Sequence, residues 1–79
     1  MITVYSKSHC PHCANASSLL DRFDIEYKLI KIDEDVEARD FLVSSGFKAV
    51  PQVFVGITHL GGWSELAGMT REEILDKDK

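Results

Sequence analysis

A chain of 79 residues with 44% hydrophobic and 28% charged side chains has the composition of a small globular domain and lacks the low hydrophobicity of a disordered one. Its net charge of −4 argues against broad binding to nucleic acid or anionic membranes, no run approaches a membrane span, and the N-terminus shows no basic region followed by an apolar stretch. With two cysteines, too few for a disulfide-stapled secreted scaffold, the expected setting is the cytoplasm.

The length allows one domain over residues 1–79, burying only about 60% of the surface that the unfolded chain exposes. Met1 to Tyr5 is apolar and β-branched and predicts a first strand. Ala16, Leu19, Leu20 and Phe23 recur at helical spacing, which predicts a helix from Pro11 to about Phe23 with Asn15, Ser17 and Ser18 facing away from the core. From Glu26 to Ile32, Tyr27, Leu29, Ile30 and Ile32 suit a second strand, read as mostly covered on both faces. Strand, helix and strand in this order imply a right-handed parallel crossover.

Asp33 to Asp35 offers a cap and an acidic first turn for a second helix, with Ala38, Phe41 and Leu42 at helical spacing and Gly46 as its stop. Pro51 marks the start of a third strand, Gln52 to Val55, because it cannot donate to a ladder. Gly56-Ile57 is a turn candidate, and Thr58 to Leu60 suits an antiparallel edge strand ended by Gly61-Gly62. Ser64 is expected to cap a short helix through Ala67, which Gly68 interrupts. Thr70 and Glu73 form a capping-box pattern for a last helix through Leu75, with a frayed tail from Asp76 to Lys79.

Chemistry concentrates in Ser8-His9-Cys10-Pro11-His12-Cys13, which holds both cysteines and two of the three histidines. A Cys-x-x-Cys spacing serves either a redox-active disulfide or a metal. Pro11 is tolerated in a first helical turn, so Cys10 falls at the helix N-terminus and Cys13 one turn in. Unpaired backbone N–H groups and the positive end of the helix dipole favour a thiolate there, reinforced by Lys7, His9 and His12, with Lys48 a further candidate. Cys10 is therefore the candidate nucleophile, because thiolate is the form that attacks a disulfide.

The element order β-α-β-α-β-β-α, the Cys-Pro-x-Cys at the first strand-to-helix junction, Val50-Pro51 before the third strand and Gly61-Gly62 after the fourth resemble the glutaredoxins. The resemblance spans nearly the whole chain. It implies an α/β thioredoxin-like fold, a four-stranded mixed sheet flanked by helices, and a thiol–disulfide oxidoreductase in which Cys10 attacks and Cys13 resolves. It further implies a cis Val50-Pro51 bond whose Val50 backbone pairs with glutathione or a client, as in strand addition. Carried over from the family, Lys7, Gly62, Trp63 and Ser64 receive glutathione carboxylates. His12, Val50 and Pro51 complete that site, and Lys7, Pro11 and His12 tune the thiol.

Glutathione then acts as co-substrate with no permanent cofactor or metal, and the expected partners of the monomer are glutathione and disulfide-bearing proteins. The departures are His12 where many glutaredoxins have tyrosine, Ala49 where threonine is common, and Glu65 as the acid after Gly-Gly in place of position 64. The segments Gly46 to Pro51 and Trp63-Ser64 also resemble redoxins that are reduced by thioredoxin reductase and serve ribonucleotide reductase, which is the alternative reading. A carrier of a metal or an iron–sulfur cluster is the rival from another class. Zinc would need His9, His12 or His59 beside the two sulfurs, and no second Cys-x-x-Cys exists.

The remaining residues have plainer readings. His9 and His59 are expected at the surface, Tyr5, Phe23, Phe41 and Phe54 in the core, and Asp33 to Asp40 on a solvated helix face. Trp63 either walls the groove or packs over the core.

Overall fold

The computed structural model describes residues 1–77. The elements are β1 (Ile2–Ser6), α1 (Pro11–Arg22), β2 (Tyr27–Lys31), α2 (Val36–Ser44), β3 (Gln52–Val55), β4 (Thr58–Gly61), α3 (Trp63–Ala67) and α4 (Arg71–Lys77). The strands form one mixed sheet in the order β2-β1-β3-β4. β1 runs parallel to β2 with Val4 opposite Leu29 and antiparallel to β3 with Val4 opposite Val53, while β3 and β4 are antiparallel.

Alternation along the two central strands divides the core. Ile2, Val4, Val53 and Val55 face one side, where they pack with Ala16, Leu19 and Leu20 of α1, Leu66 of α3 and Ile74 of α4. Each fully buried Leu or Ile there contributes about 1.5–3 kcal/mol of transfer free energy. Tyr5 and Phe54 face the other side and form an aromatic cluster with Phe41, Phe47 and His59.

Local chemistry sets the helix ends. Asp35 caps α2 by accepting from the Ala38 N–H at 3.0 Å. Gly46, at φ +88°, closes α2 with two backbone bonds, from its own N–H to the Val43 carbonyl and from the Phe47 N–H to the Leu42 carbonyl. Thr70 and Glu73 exchange backbone-to-side-chain bonds as a capping box before α4. Arg71 Nε then donates to the Phe23 carbonyl at 2.7 Å, tying α4 to the exposed end of α1.

Several expectations are corrected. β2 is an edge strand, and it is not covered on both faces: Tyr27 and Ile30 are half-buried, Lys28 and Lys31 are exposed, and Leu29 is 43% exposed. Phe41 stands 45% exposed at the rim of the aromatic cluster and is not a core residue. Tyr5, Phe23 and Ser17 are half-buried. Gly62, not Ser64, is the N-cap of α3. Helix α4 runs to Lys77 instead of fraying at Asp76, and the rest of the expected tail lies outside the described residues. Of the acidic run, Asp33 does not face solvent idly: its Oδ2 accepts from the Ser8 N–H at 3.3 Å, and hydrogen bonds from Ser8 hold its carboxyl below the usual range.

Candidate active site

The chain enters the site from β1, a central strand, and turns through Ser8 and His9 into α1. His9 adopts φ 59°, a left-handed backbone that non-glycine residues seldom take, and its side chain is exposed. The turn leaves Cys10 as the extended N-cap of α1, with Pro11 at the position whose N–H the helix does not need.

The Cys10 sulfur accepts from the Cys13 N–H at 3.4 Å and, as a thiol, donates to the Val50 carbonyl at 3.9 Å. Cys10 is partly exposed and Cys13 is 4% exposed, both as free thiols. Burial above all, then a hydrogen bond to the Cys10 sulfur, pushes the Cys13 thiol up to about 11, against lesser lowering by the Lys7 backbone and charge. The two sulfurs are thus unequal. One is reachable and accepts from a first-turn helix N–H, and the other is held neutral beneath it.

Val50-Pro51 is cis, and this loop meets the start of α3. Gly61, at φ +136°, has no room for a side chain because a Cβ would lie 2.6 Å from the Glu65 side chain, and a Cβ on Gly62 would sit 3.2 Å from the Pro51 carbonyl. The glycine pair therefore lets α3 begin directly against the proline loop. His12, Val50, Pro51, Gly62, Trp63 and Ser64, all expected from the sequence, line one groove of about 370 Å³.

Lys7 stands apart. It shares a cleft of about 470 Å³ with His9, Cys10, Pro11, Cys13 and Lys31, on the side of α1 towards β2. His12 is exposed and makes no hydrogen bond to the Cys10 sulfur, so any influence it has on that sulfur acts through space. Lys48 is in neither cleft and lines a third with Arg39 under α2. Trp63 serves both of its alternative readings, since it lines the groove and also packs against the core.

Besides Ala49, four groove residues lay outside the expected site: Phe47, Gln52, His59 and Glu65. Gln52 Nε2 donates to the Ala49 carbonyl at 2.9 Å, and His59 Nε2 lies 2.7 Å from Gln52 Oε1, so β4 braces the loop before Val50. Glu65 Oε1 accepts from the Gly62 N–H at 2.7 Å, which places a carboxylate at the start of α3. Only the acid following Gly-Gly gave advance notice of any of the four. Among the described residues, no three His, Cys, Asp or Glu side chains gather as metal ligands, and no helix is long and apolar enough to cross a membrane.

The glutaredoxin family model matches residues 2–60, three quarters of the chain and everything from β1 to the cis-proline loop and β4. This chain belongs to the glutaredoxin family. Like its relatives, this glutaredoxin is a thiol–disulfide oxidoreductase. It is 35% identical over 79 residues to glutaredoxin 1 of Rickettsia prowazekii, with 96% of this chain and 83% of the relative covered. The solution structure of a Brucella melitensis glutaredoxin superposes with a TM-score of 0.75 at 34% identity, over 95% of this chain and 83% of that one. A buckwheat glutaredoxin–glutathione complex is similar at 27% identity and a TM-score of 0.73, covering 98% and 70% of the two chains. The NrdH-redoxin of Escherichia coli, a glutaredoxin-like protein, shares the fold at a TM-score of 0.75 and 23% identity, over 95% and 91%.

Proposed function

We propose that residues 1–79 act as one monomeric, cytoplasmic domain that reduces protein disulfides and glutathione mixed disulfides with electrons from glutathione. The carrying observation is the inequality of the thiols: a reachable Cys10 on the N-cap of α1 above a buried, neutral Cys13.

The Cys10 thiolate attacks one sulfur of the client disulfide; a Cys10–client bond forms, the client S–S bond breaks, and the departing thiolate takes a proton. Cys13 then gives up its proton and attacks Cys10 Sγ, releasing the second client thiol and leaving a Cys10–Cys13 disulfide. Two electrons have passed to the client. Two glutathione molecules restore the dithiol and leave as glutathione disulfide. Where the substrate is itself a glutathione mixed disulfide, a second glutathione can resolve the intermediate without Cys13.

The groove supports this reading by its form. Val50 offers backbone groups beside Cys10, Trp63 an apolar wall, and Lys7 a cation on the opposite side of the sulfur. Cys10→Ser is expected to abolish every exchange, and Cys13→Ser to lose reduction of protein disulfides while keeping turnover of a glutathione mixed disulfide. Equal and complete loss in both variants would overturn the division of labour.

One observation favours a second reading. The Glu65 carboxylate already occupies the Gly62 N–H in the groove, where it competes with and repels an incoming glutathione carboxylate. That weakens the case for glutathione and favours electrons from thioredoxin reductase, with ribonucleotide reductase as client. Parallel assays with glutathione plus its reductase and with thioredoxin reductase separate the two.

A further inference from the structure

Two side chains in the groove touch neither sulfur, yet they form a continuous line of hydrogen bonds to the loop beside Cys10. His59 Nε2 lies 2.7 Å from Gln52 Oε1, and Gln52 Nε2 donates to the Ala49 carbonyl at 2.9 Å. An amide has a donor end and an acceptor end, so turning its nitrogen to Ala49 turns its oxygen to His59. That oxygen accepts only from a protonated nitrogen, and His59 therefore carries a proton on Nε2. Without this donor the amide loses the contact that fixes its orientation, and half a turn would set two oxygens face to face.

The His59 ring is itself pinned. Its centroid lies 4.4 Å from that of Phe47 and 5.0 Å from that of Phe54, which is buried. Phe47 belongs to the same loop, three residues before Val50, so β4 grips that loop at two points.

What the line of bonds fixes is the Ala49–Val50 peptide. This bond is trans and planar, so the Ala49 carbonyl and the Val50 N–H point in opposite directions and turn together. Holding the carbonyl to Gln52 aims the Val50 N–H directly away from it. Among the described residues that N–H donates to no group. Val50 is half-buried in the groove, and its own carbonyl receives the Cys10 thiol at 3.9 Å.

We propose that Gln52 and His59 are positioning residues for protein clients, acting in series to hold the Val50 N–H at the angle that pairs with an extended client backbone. The inference rests on the dithiol reading above, in which that backbone lies against Val50. A small disulfide without a peptide backbone makes no such pair and gains nothing from the arrangement.

The test uses the pre-reduced protein in single turnover with no other reductant, so that the source of electrons has no bearing on the result. The probes are an uncharged peptide closed by an internal disulfide and bis(2-hydroxyethyl) disulfide, and the readout is the ratio of their rate constants. Gln52→Met keeps the length of the side chain but removes the donor to Ala49, and the ratio of peptide to small disulfide should fall about fivefold. His59→Phe keeps the ring stack but removes the donor to Gln52, and the ratio should fall about threefold. Because the two act in series, the double variant should match Gln52→Met within about twofold, whereas independent effects would multiply to about fifteenfold.

Arg71→Ala, which removes a hydrogen bond at the far end of α1, should leave the ratio intact. Nitrogen–proton correlation NMR of the neutral His59 ring should show the proton on Nε2. An unchanged ratio in Gln52→Met, an equal fall in Arg71→Ala, multiplied losses in the double variant, or a neutral His59 protonated on Nδ1 each overturns the inference. Failure of the unsubstituted protein to reduce both probes instead overturns the dithiol reading, and this inference with it.

Discussion

Burial of Cys13 makes a prediction that can be worked through quantitatively. A thiol at the ordinary value of 9.0 is about one-tenth ionised at pH 8, whereas one pushed up to about 11 is about one-thousandth ionised. Thiolate is the species that iodoacetamide alkylates, so Cys13 in the folded protein should react about a hundredfold more slowly than when unfolded in urea. The Cys10→Ser variant isolates the effect, because it removes the competing thiol and the bond to its sulfur but leaves burial, the largest cause, in place. At least a tenfold protection should survive there.

The same gap affects stability. Between pH 9 and 11 the unfolded chain releases a proton that folded Cys13 retains, so stability falls as pH rises through that window, by up to about 2–3 kcal/mol. Mass spectrometry of the Cys13 peptide after timed alkylation measures the first effect, and urea titration of reduced protein at pH 8 and pH 10.5 the second. Alkylation of Cys13 in folded Cys10→Ser as fast as in urea would refute the burial argument.

Other outcomes are equally specific. His12→Tyr should make the reduction potential more negative by no more than about 30 mV, since an exposed imidazole acting through water is worth at most about 1 kcal/mol; redox equilibration with glutathione measures it, and a larger shift would imply a direct contact. Lys7→Gln should raise the KM for glutathione several-fold at low salt and have less effect at high salt, in steady-state assays, and an unchanged KM at low salt would remove Lys7 from glutathione binding. Leu20→Ala, at a fully buried position between α1 and the sheet, should cost about 3 kcal/mol in urea unfolding without changing the chemistry of Cys10. Arg71→Ala should cost about 1 kcal/mol by leaving the Phe23 carbonyl without its donor, seen in the same titration.

The sequence alone determined the order of elements, the place of the Cys-Pro-x-Cys at a strand-to-helix junction, and the caps at Asp35, Gly46 and Thr70. These depend on neighbours within a few residues: proline at the start of a helix, a side-chain oxygen three residues before an N–H, glycine where the backbone turns left-handed. The alternation of Ile2 and Val4 likewise marked one face of β1 as core. What escaped depends on strands and helices far apart in the chain.

Tertiary structure alone decided that β2 is an edge and that Leu29 is 43% exposed while Val4, opposite it on β1, is fully buried, because an apolar run reads the same whether or not another layer packs over it. Phe41 looked like core by helical spacing, yet α2 lies where its ring reaches only the rim of the Tyr5–Phe54 cluster. Asp33 carried no signal that it would hold Ser8, 25 residues earlier, nor Gln52 and His59 that they would brace the loop at Ala49. Tertiary packing likewise separated Lys7, His12 and Lys48 into three clefts around one loop and one sulfur, since proximity in sequence fixes distance along the chain but not the side of the sheet or helix on which a charge emerges.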